Sequence, residues 1–366
     1  MKYTPLHYQI ALTLLNGVGS IKSKELIDAA ANVEEIFEFS PQQLSEKTSF
    51  NREFIRRMDR KNALKKSEAI YSTISQNKLQ SIFITDDLYP HRLRNCVDAP
   101  VLLFKKGVAC FNPPKSIAIV GTRNATEYGK EICRELIKSL HGENIIVVSG
   151  LAHGIDAAVH QFCLKYDVPT VGVLGHGLDR VYPATHRELA NKMLLSGAVI
   201  SEFIPGVSPD RENFPKRNRI VAGMTDATIV IESKKRGGSL ITANLANDYN
   251  RDVFAFPGSV HMETSQGCNH LIANQKAHLI QNSSDFHRMM GWRQKKAQTV
   301  VQRQLFSSLT SIQKEIVKHV SLEKKIQVDV LSIRSQIPIS KLNQELFSLE
   351  MEGVIRSLPG KMFSII

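Results

Sequence analysis

Apolar positions change their period twice along the chain, and the changes divide it into three parts. Over the first 75 or so residues they recur at helical spacing, as in Ile10, Leu12, Leu14 and Leu15 and then Ile21, Leu26 and Ile27, with no strand signal between them. This predicts a small helical domain over residues 1–75. From about Ser81 to Gly291 short apolar runs alternate with helical stretches: Ser116–Val120, Ile145–Val148, Thr170–Leu174, Ala198–Ser201, Ala227–Ile231, Asp252–Ala255 and Ala277–Ile280. Each is four or five residues, apolar on both faces and rich in β-branched side chains, as parallel strands covered by helices should be. The expected fold class is α/β, a doubly wound, mostly parallel sheet of about seven strands spanning residues 80–291.

The polar, basic stretch Gly291-Trp-Arg-Gln-Lys-Lys-Ala-Gln-Thr299 breaks that rhythm and reads as a linker, over residues 292–304. Beyond it, residues 305–366 predict one helix around Ser311–Val320, a second near Val328–Gln336 and a third opening at Pro338-Ile-Ser340, with Leu342, Leu346 and Leu349 on its buried face. The segment Val354–Ile366 reads as two short strands joined by a Pro-Gly turn. Three helices and a β-hairpin are the winged-helix plan. The third helix carries Lys341 against Glu345, Glu350 and Glu352, a poor balance for a major-groove reader. A protein contact or weak DNA binding fits this domain better.

Composition narrows the partners. The 366 residues carry a net charge of +12, which favours an anionic partner such as nucleic acid. Five scattered cysteines, Cys96, Cys110, Cys133, Cys163 and Cys268, include no C-x-x-C pair, which speaks against a disulfide framework or a zinc site. No run approaches 18 apolar residues, and the start of the chain lacks the h-region of a signal peptide. A cytoplasmic protein with no membrane span is expected.

The common cofactor motifs are missing. After the first strand of the central region the chain reads Gly121-Thr-Arg-Asn-Ala125 in place of G-x-G-x-x-G, and the next strand ends at Val148-Ser-Gly150 with no acidic residue for a ribose. Neither a P-loop nor a G-x-S-x-G elbow occurs. His153, Asp156 and His160 are spaced to share one helix face, yet nothing nearby completes a metal ligand set. No cofactor or metal is expected.

What remains is phosphate recognition. Phe214-Pro-Lys-Arg-Asn-Arg219 and Lys234-Lys-Arg-Gly-Gly-Ser-Leu-Ile-Thr-Ala243 are cationic clusters, each at the start of a predicted helix, and the second follows the strand Ala227–Ile231. In an open α/β sheet such segments stand at the C-terminal edge of the strands, where free backbone N–H groups favour an anion. Arg123 follows the first strand and belongs at the same edge. Arg217 and Arg219 suit bidentate phosphate contacts, Lys216 adds a mobile charge, and Gly237, Gly238 and Ser239 offer backbone N–H groups and a hydroxyl. Phe214, the one aromatic beside these charges, fits either a stacking platform for an unpaired base or an ordinary core position. A duplex cannot present its base faces to such a pocket, so a single strand is favoured. In the helical region Leu15-Asn-Gly-Val-Gly-Ser-Ile-Lys-Ser-Lys24 reads as a helix-hairpin-helix turn that approaches a phosphate or as a plain connection between packed helices. The basic run Arg52–Lys66 is a solvated helix face.

Taken in order, Gly121-Thr-Arg123, Ser149-Gly-Leu-Ala-His-Gly-Ile-Asp156, Val173-Leu-Gly-His-Gly-Leu-Asp179 with Tyr182-Pro183, Ser201-Glu202, Phe214–Gly223, Gly238-Ser-Leu-Ile-Thr-Ala243 and Phe256-Pro-Gly258 closely resemble the motifs of the bacterial DNA-processing protein DprA (Smf) family. The match covers about 200 residues without a large gap. The resemblance implies a cytoplasmic, non-enzymatic protein of natural transformation that binds and protects incoming single-stranded DNA and loads the RecA recombinase onto it. It also implies a homodimer formed through the Rossmann-like domain, an N-terminal helical domain of sterile-alpha-motif type and a C-terminal winged helix. The DNA-binding residues it carries over are Gly121, Thr122, Arg123, Phe214, Lys216, Arg217, Asn218, Arg219, Gly237, Gly238 and Ser239. Two positions depart from many relatives: Glu232-Ser233 stands in place of a glutamate-alanine pair, and Gly237-Gly-Ser239 in place of Ser-Gly-Ser. A competing reading is a nucleotide phosphoribohydrolase on the same sheet, but Ala243 and Asn244 stand where that chemistry requires a carboxylate. A third is a pure adaptor with incidental DNA contact.

Overall fold

The apolar runs of the central region assemble into one nine-stranded sheet in the computed structural model, which describes residues 3–292, 309–323, 325–358 and 362–365. The chain divides into two compact units, Met1–Trp292 and Arg293–Ile366. Most of the expected linker, 293–304, and the Pro359-Gly360 turn lie outside the described residues.

In the first unit the strands are β1 (Gln80–Phe83), β2 (Leu102–Gly107), β3 (Lys115–Val120), β4 (Ile145–Ser149), β5 (Thr170–Val173), β6 (Ala198–Ser201), β7 (Ala227–Val230), β8 (Asp252–Ala255) and β9 (His278–Leu279). Their spatial order is β1-β2-β6-β5-β4-β3-β7-β8-β9. The strands β3 to β9 pair in parallel wherever they meet, as continuous apolar runs require, while β1 and β2 extend the sheet antiparallel beyond β6. Those two strands are additional to the seven expected from the runs. From β3 the chain builds outward through β4, β5 and β6, then returns to the other flank of β3 with β7, β8 and β9. The strand order therefore reverses between β3 and β7, where Val120 is paired with Val230.

Alternate residues of β3 feed two cores. Ile117 and Ile119 pack with Cys133, Leu136 and Val159 on one face, while Ala118 and Val120 join the other. That second core runs on through Phe104 into Ile10, Leu12, Leu26, Met58 and Ile74 of the N-terminal helices. The helical region expected over 1–75 thus packs into the same compact unit as the sheet. Each fully buried Leu or Ile contributes about 1.5–3 kcal/mol, so this continuity ties the helices to the sheet.

The second unit holds the helices Ser311–Leu322, Val328–Ser335 and Ile339–Met351, with the strands β10 (Ile326–Gln327), β11 (Ile355–Leu358) and β12 (Met362–Ile365) in the order β10-β12-β11. Leu342, Leu346 and Leu349 pack against Ile316, Val320 and Leu331. The architecture is a winged helix. Among the described residues no helix is long and apolar enough to cross a membrane.

One buried side chain ties stability to pH. His160 is fully buried in the helix Ile155–Lys165, its Nδ1 lies 2.8 Å from Thr170 Oγ1, and its Nε2 has no partner among the described residues. Burial holds its pKa down to about 3, well below the ordinary value of 6.5. The unfolded chain binds a proton below pH 6.5 that the folded chain refuses until about pH 3, so stability falls as pH drops through that window. Urea unfolding should show a loss of about 2 kcal/mol from this residue between pH 7 and pH 5, and His160→Gln should flatten the slope. An unchanged slope in the variant would contradict the assignment.

Candidate functional site

At the C-terminal edge of the sheet, over the reversal between β3 and β7, lies a cleft of about 870 Å³. Six segments build it: the loop Gly121–Asn124 after β3, the loop after β4, Tyr182 after β5, Pro209 and Arg211 after β6, the helix Asn213–Gly223, and the turn after β7 that opens the helix Gly238–Asp248. The parallel ladder continues past both strand ends, since Ile231 N–H donates to Val120 O at 3.1 Å and Thr122 N–H to Glu232 O at 2.8 Å. Buried Glu232 then accepts from Thr126 N at 3.0 Å and Thr126 Oγ1 at 2.6 Å, at the start of the helix Glu127–Lys138. A carboxylate at a helix N-terminus is electrostatically favoured, and Glu232, through its carbonyl at Thr122 and its carboxylate at Thr126, fixes both ends of the loop that carries Arg123.

The other side of that loop rests on glycine. Gly154 has φ +78°, and a Cβ there would collide with the backbone of Thr122 and Arg123. A Cβ on Gly121 would come within 2.5 Å of Ile155 Cγ1. The Ile155 N–H donates to Thr122 O at 3.1 Å, so loop and helix are pressed together by a direct backbone bond.

Of the expected residues, Gly121, Thr122, Arg123, Phe214, Arg217, Asn218, Gly237, Gly238 and Ser239 line this cleft. Arg123 is exposed, and its guanidinium carbon sits 5.7 Å from the centroid of the half-buried Phe214 ring. Gly238 is exposed with nothing near its missing side chain, and the N–H groups of Gly238 and Ser239 have no partner among the described residues. The Ser239 hydroxyl is buried and donates to Ser233 Oγ at 2.8 Å, so it braces the turn.

The expectation that Arg217 and Arg219 present free guanidinium groups needs correction. Arg217 is only 5% exposed; it donates to Gly150 O at 2.5 Å and to Val173 O, and its Nε to Asn218 Oδ1 at 3.2 Å. Burial lowers its pKa to about 10, leaving it charged at neutral pH. Beside it Asp156 accepts from the N–H groups of Gly150 at 3.1 Å and Ala152 at 3.4 Å. Burial raises the Asp156 pKa, and the Arg217 charge opposes the rise. Arg219 pairs with Glu202 and donates to Asp98 O, away from the central cleft. Lys216 is exposed and, with Arg219, lines a different cleft. Helical geometry explains the split: the apolar side of this helix faces the core, and residues adjacent to it are drawn in with it.

The cleft also recruits residues outside the expected contact set. Tyr182, 52% exposed, places its ring 6.0 Å from that of Phe214, so Phe214 is not the lone aromatic. Its backbone N–H is held at 3.2 Å by Nε2 of buried His176. Arg211 and Arg236 line the cleft, and among the described residues neither they nor Arg123 has an ion-pair partner, whereas Lys234 is paired with Glu263 at 2.8 Å. The available signals were the Tyr182-Pro183 motif, the place of Arg236 in the cationic cluster Lys234-Lys-Arg236, and the position of Arg211 just ahead of the helix that holds Phe214. His153, Asp156 and His160 diverge, toward His186, the Gly150 loop and Thr170 respectively.

The family model for DNA recombination-mediator protein A matches residues 80–291, and that of the DprA winged helix domain matches residues 306–361. The chain belongs to the DprA family. It is 42% identical over 208 residues to the DNA processing protein DprA of Streptococcus pneumoniae, covering 57% of this chain and 73% of that protein. The solved structure of DNA processing protein A from Streptococcus pneumoniae aligns with a TM-score of 0.67 at 34% identity, over 79% of this chain and 98% of that one. The DNA processing protein A of Helicobacter pylori, whose structure is described for its single-stranded DNA binding mode, aligns with a TM-score of 0.53 at 26% identity, over 58% and 95% of the two chains.

In this DprA-family cleft the buried and exposed arginines should separate by experiment. Arg217→Ala leaves Asp156 buried beside two unpaired carbonyls and should cost roughly 3–5 kcal/mol of stability by chemical denaturation. Arg123→Ala should leave the unfolding midpoint unchanged within about 0.5 kcal/mol. Equal stability of the two variants would refute the strut role of Arg217.

Proposed function

We propose that the cleft binds single-stranded DNA, chiefly through its backbone and without sequence preference. The observation that carries this reading is the grouping of three arginines, Arg123, Arg211 and Arg236, with no ion-pair partner among the described residues, around the adjoining rings of Phe214 and Tyr182. Guanidinium groups and free N–H groups take phosphates, and exposed ring faces take unstacked bases. The contact residues proposed are Gly121, Thr122, Arg123, Phe214, Asn218, Gly237, Gly238 and Ser239, with Tyr182, Arg211 and Arg236 added. The described single-strand binding of the Helicobacter pylori relative supports the choice of ligand. Membership of the DprA family supports a role in DNA processing and transformation.

On this reading the protein protects incoming single strands and hands them to RecA recombinase, acting as a homodimer through the sheet unit rather than as an enzyme. The far edge of the sheet supports dimerisation, because β9 has one unpaired side and exposes Leu279.

Fluorescence anisotropy tests the binding. Three phosphate contacts give a logarithmic salt slope of about −2, so affinity for an oligothymidylate should fall roughly 15- to 20-fold between 50 and 200 mM salt. Arg123→Ala should weaken binding alike for all sequences, and a duplex of equal length should bind less tightly. Salt-insensitive binding, or a preference for the duplex, would sink the proposal.

A further inference from the structure

The glycine turn of the N-terminal region takes no part in the central cleft, and neither does Lys216. The structure brings the two together. A second cleft, of about 390 Å³, is lined by Gly17, Gly19 and Lys22 on one side and by Lys216 and Arg219 on the other. We infer that this cleft is a second phosphate subsite, which takes the continuation of the same single strand that the central cleft holds. The inference rests on the proposed reading of the central cleft.

The path between them is short. Pro215 lines the central cleft and Lys216 the second, both are exposed, and both belong to the first turn of the helix Asn213–Gly223. A helix with its side chains is about 10–12 Å across, and nucleotides advance by at least about 3.4 Å each, so roughly three of them carry a strand from one cleft to the other.

The second cleft is built for a backbone rather than a base. Gly17 has φ +73° and Gly19 has open space where a side chain would stand, so the chain there is bare and accessible. Lys22 is held at the turn, donating to Gly17 O at 3.2 Å with its ammonium 4.0 Å from the Phe54 ring centroid. The cleft's two acids are engaged within the protein. Glu202 pairs with Arg219, and Asp98 accepts from Tyr249 Oη at 2.6 Å. Lys22 and Lys216 remain as the cations facing the opening, and Lys216 has no ion-pair partner among the described residues.

Gly19 makes a clean test possible. It is the N-cap of the helix Ser20–Asp28, with extended backbone, where Asp and Asn are preferred caps. Gly19→Asp therefore puts a carboxylate in the cleft without harming the fold, and Gly19→Asn is its uncharged control. Anisotropy on the whole chain would use oligothymidylates of about three and about twenty nucleotides, the first too short to occupy the central cleft and also cross to the second. Gly19→Asp and Lys216→Glu should each weaken binding of the longer strand about three- to tenfold and reduce its salt slope by about one. Both should leave the short strand unaffected, and Gly19→Asn should bind both lengths as the parent does. Undiminished affinity of the charged variants for the long strand, or equal losses on the two lengths, overturns the second subsite. Binding of neither length by the parent protein overturns the reading of the central cleft as well.

Discussion

The parallel pairing of β3 with β7 is the constraint on which the rest of the site depends. These two strands lie side by side, yet their neighbours in sequence depart toward opposite flanks of the sheet. Their loops must therefore part, and the parting opens a crevice floored by backbone. Glu232 keeps the opening from collapsing or spreading, because its carbonyl holds Thr122 while its carboxylate holds Thr126. One residue at the end of β7 thereby fixes where a guanidinium on β3's loop stands.

Burial sorts the arginines of this region into two trades. In a low-dielectric interior a charge must keep its partners, and Arg217 has as its partners the carbonyls that end β4 and β5. Turning it outward would strand those carbonyls and Asp156 together. It acts instead as a strut that binds two loops, and through the Gly150 and Val173 carbonyls it anchors the helix bearing Phe214. Arg123, Arg211 and Arg236 have no such obligations, and their charge is available to a ligand.

Much of this was legible from sequence. The seven apolar runs gave the parallel strands because a strand covered on both faces has no alternative pattern. β1 and β2 were missed because Gln80–Phe83 is short and Leu102–Gly107 ends in Lys105, Lys106 and Gly107, half apolar and half polar, as an antiparallel extension tends to be. The segments that line the site were also legible, since glycine turns and cations after strands have few other uses. Which arginine faces the cleft was not. Arg217 and Arg219 look identical in a motif, and only the helix phase and the carbonyls awaiting them in other loops decide their direction. Tyr182 escaped because its place beside Phe214 is set by His176, across a turn that no local pattern describes.

The kinds of group that face the cleft also set what it can discriminate. Free N–H groups, guanidinium groups and ring faces meet phosphates and base planes, features every nucleotide shares. Among the described residues the one carboxylate lining the cleft, Asp156, is occupied by the Gly150 and Ala152 N–H groups and offset by Arg217, so it is engaged inside the protein rather than reading a base edge. Sequence therefore has little to act on. Strandedness has a great deal, because the faces that Phe214 and Tyr182 would cover are already stacked within a duplex. On the proposed reading, a site assembled this way selects a conformation of nucleic acid rather than a sequence.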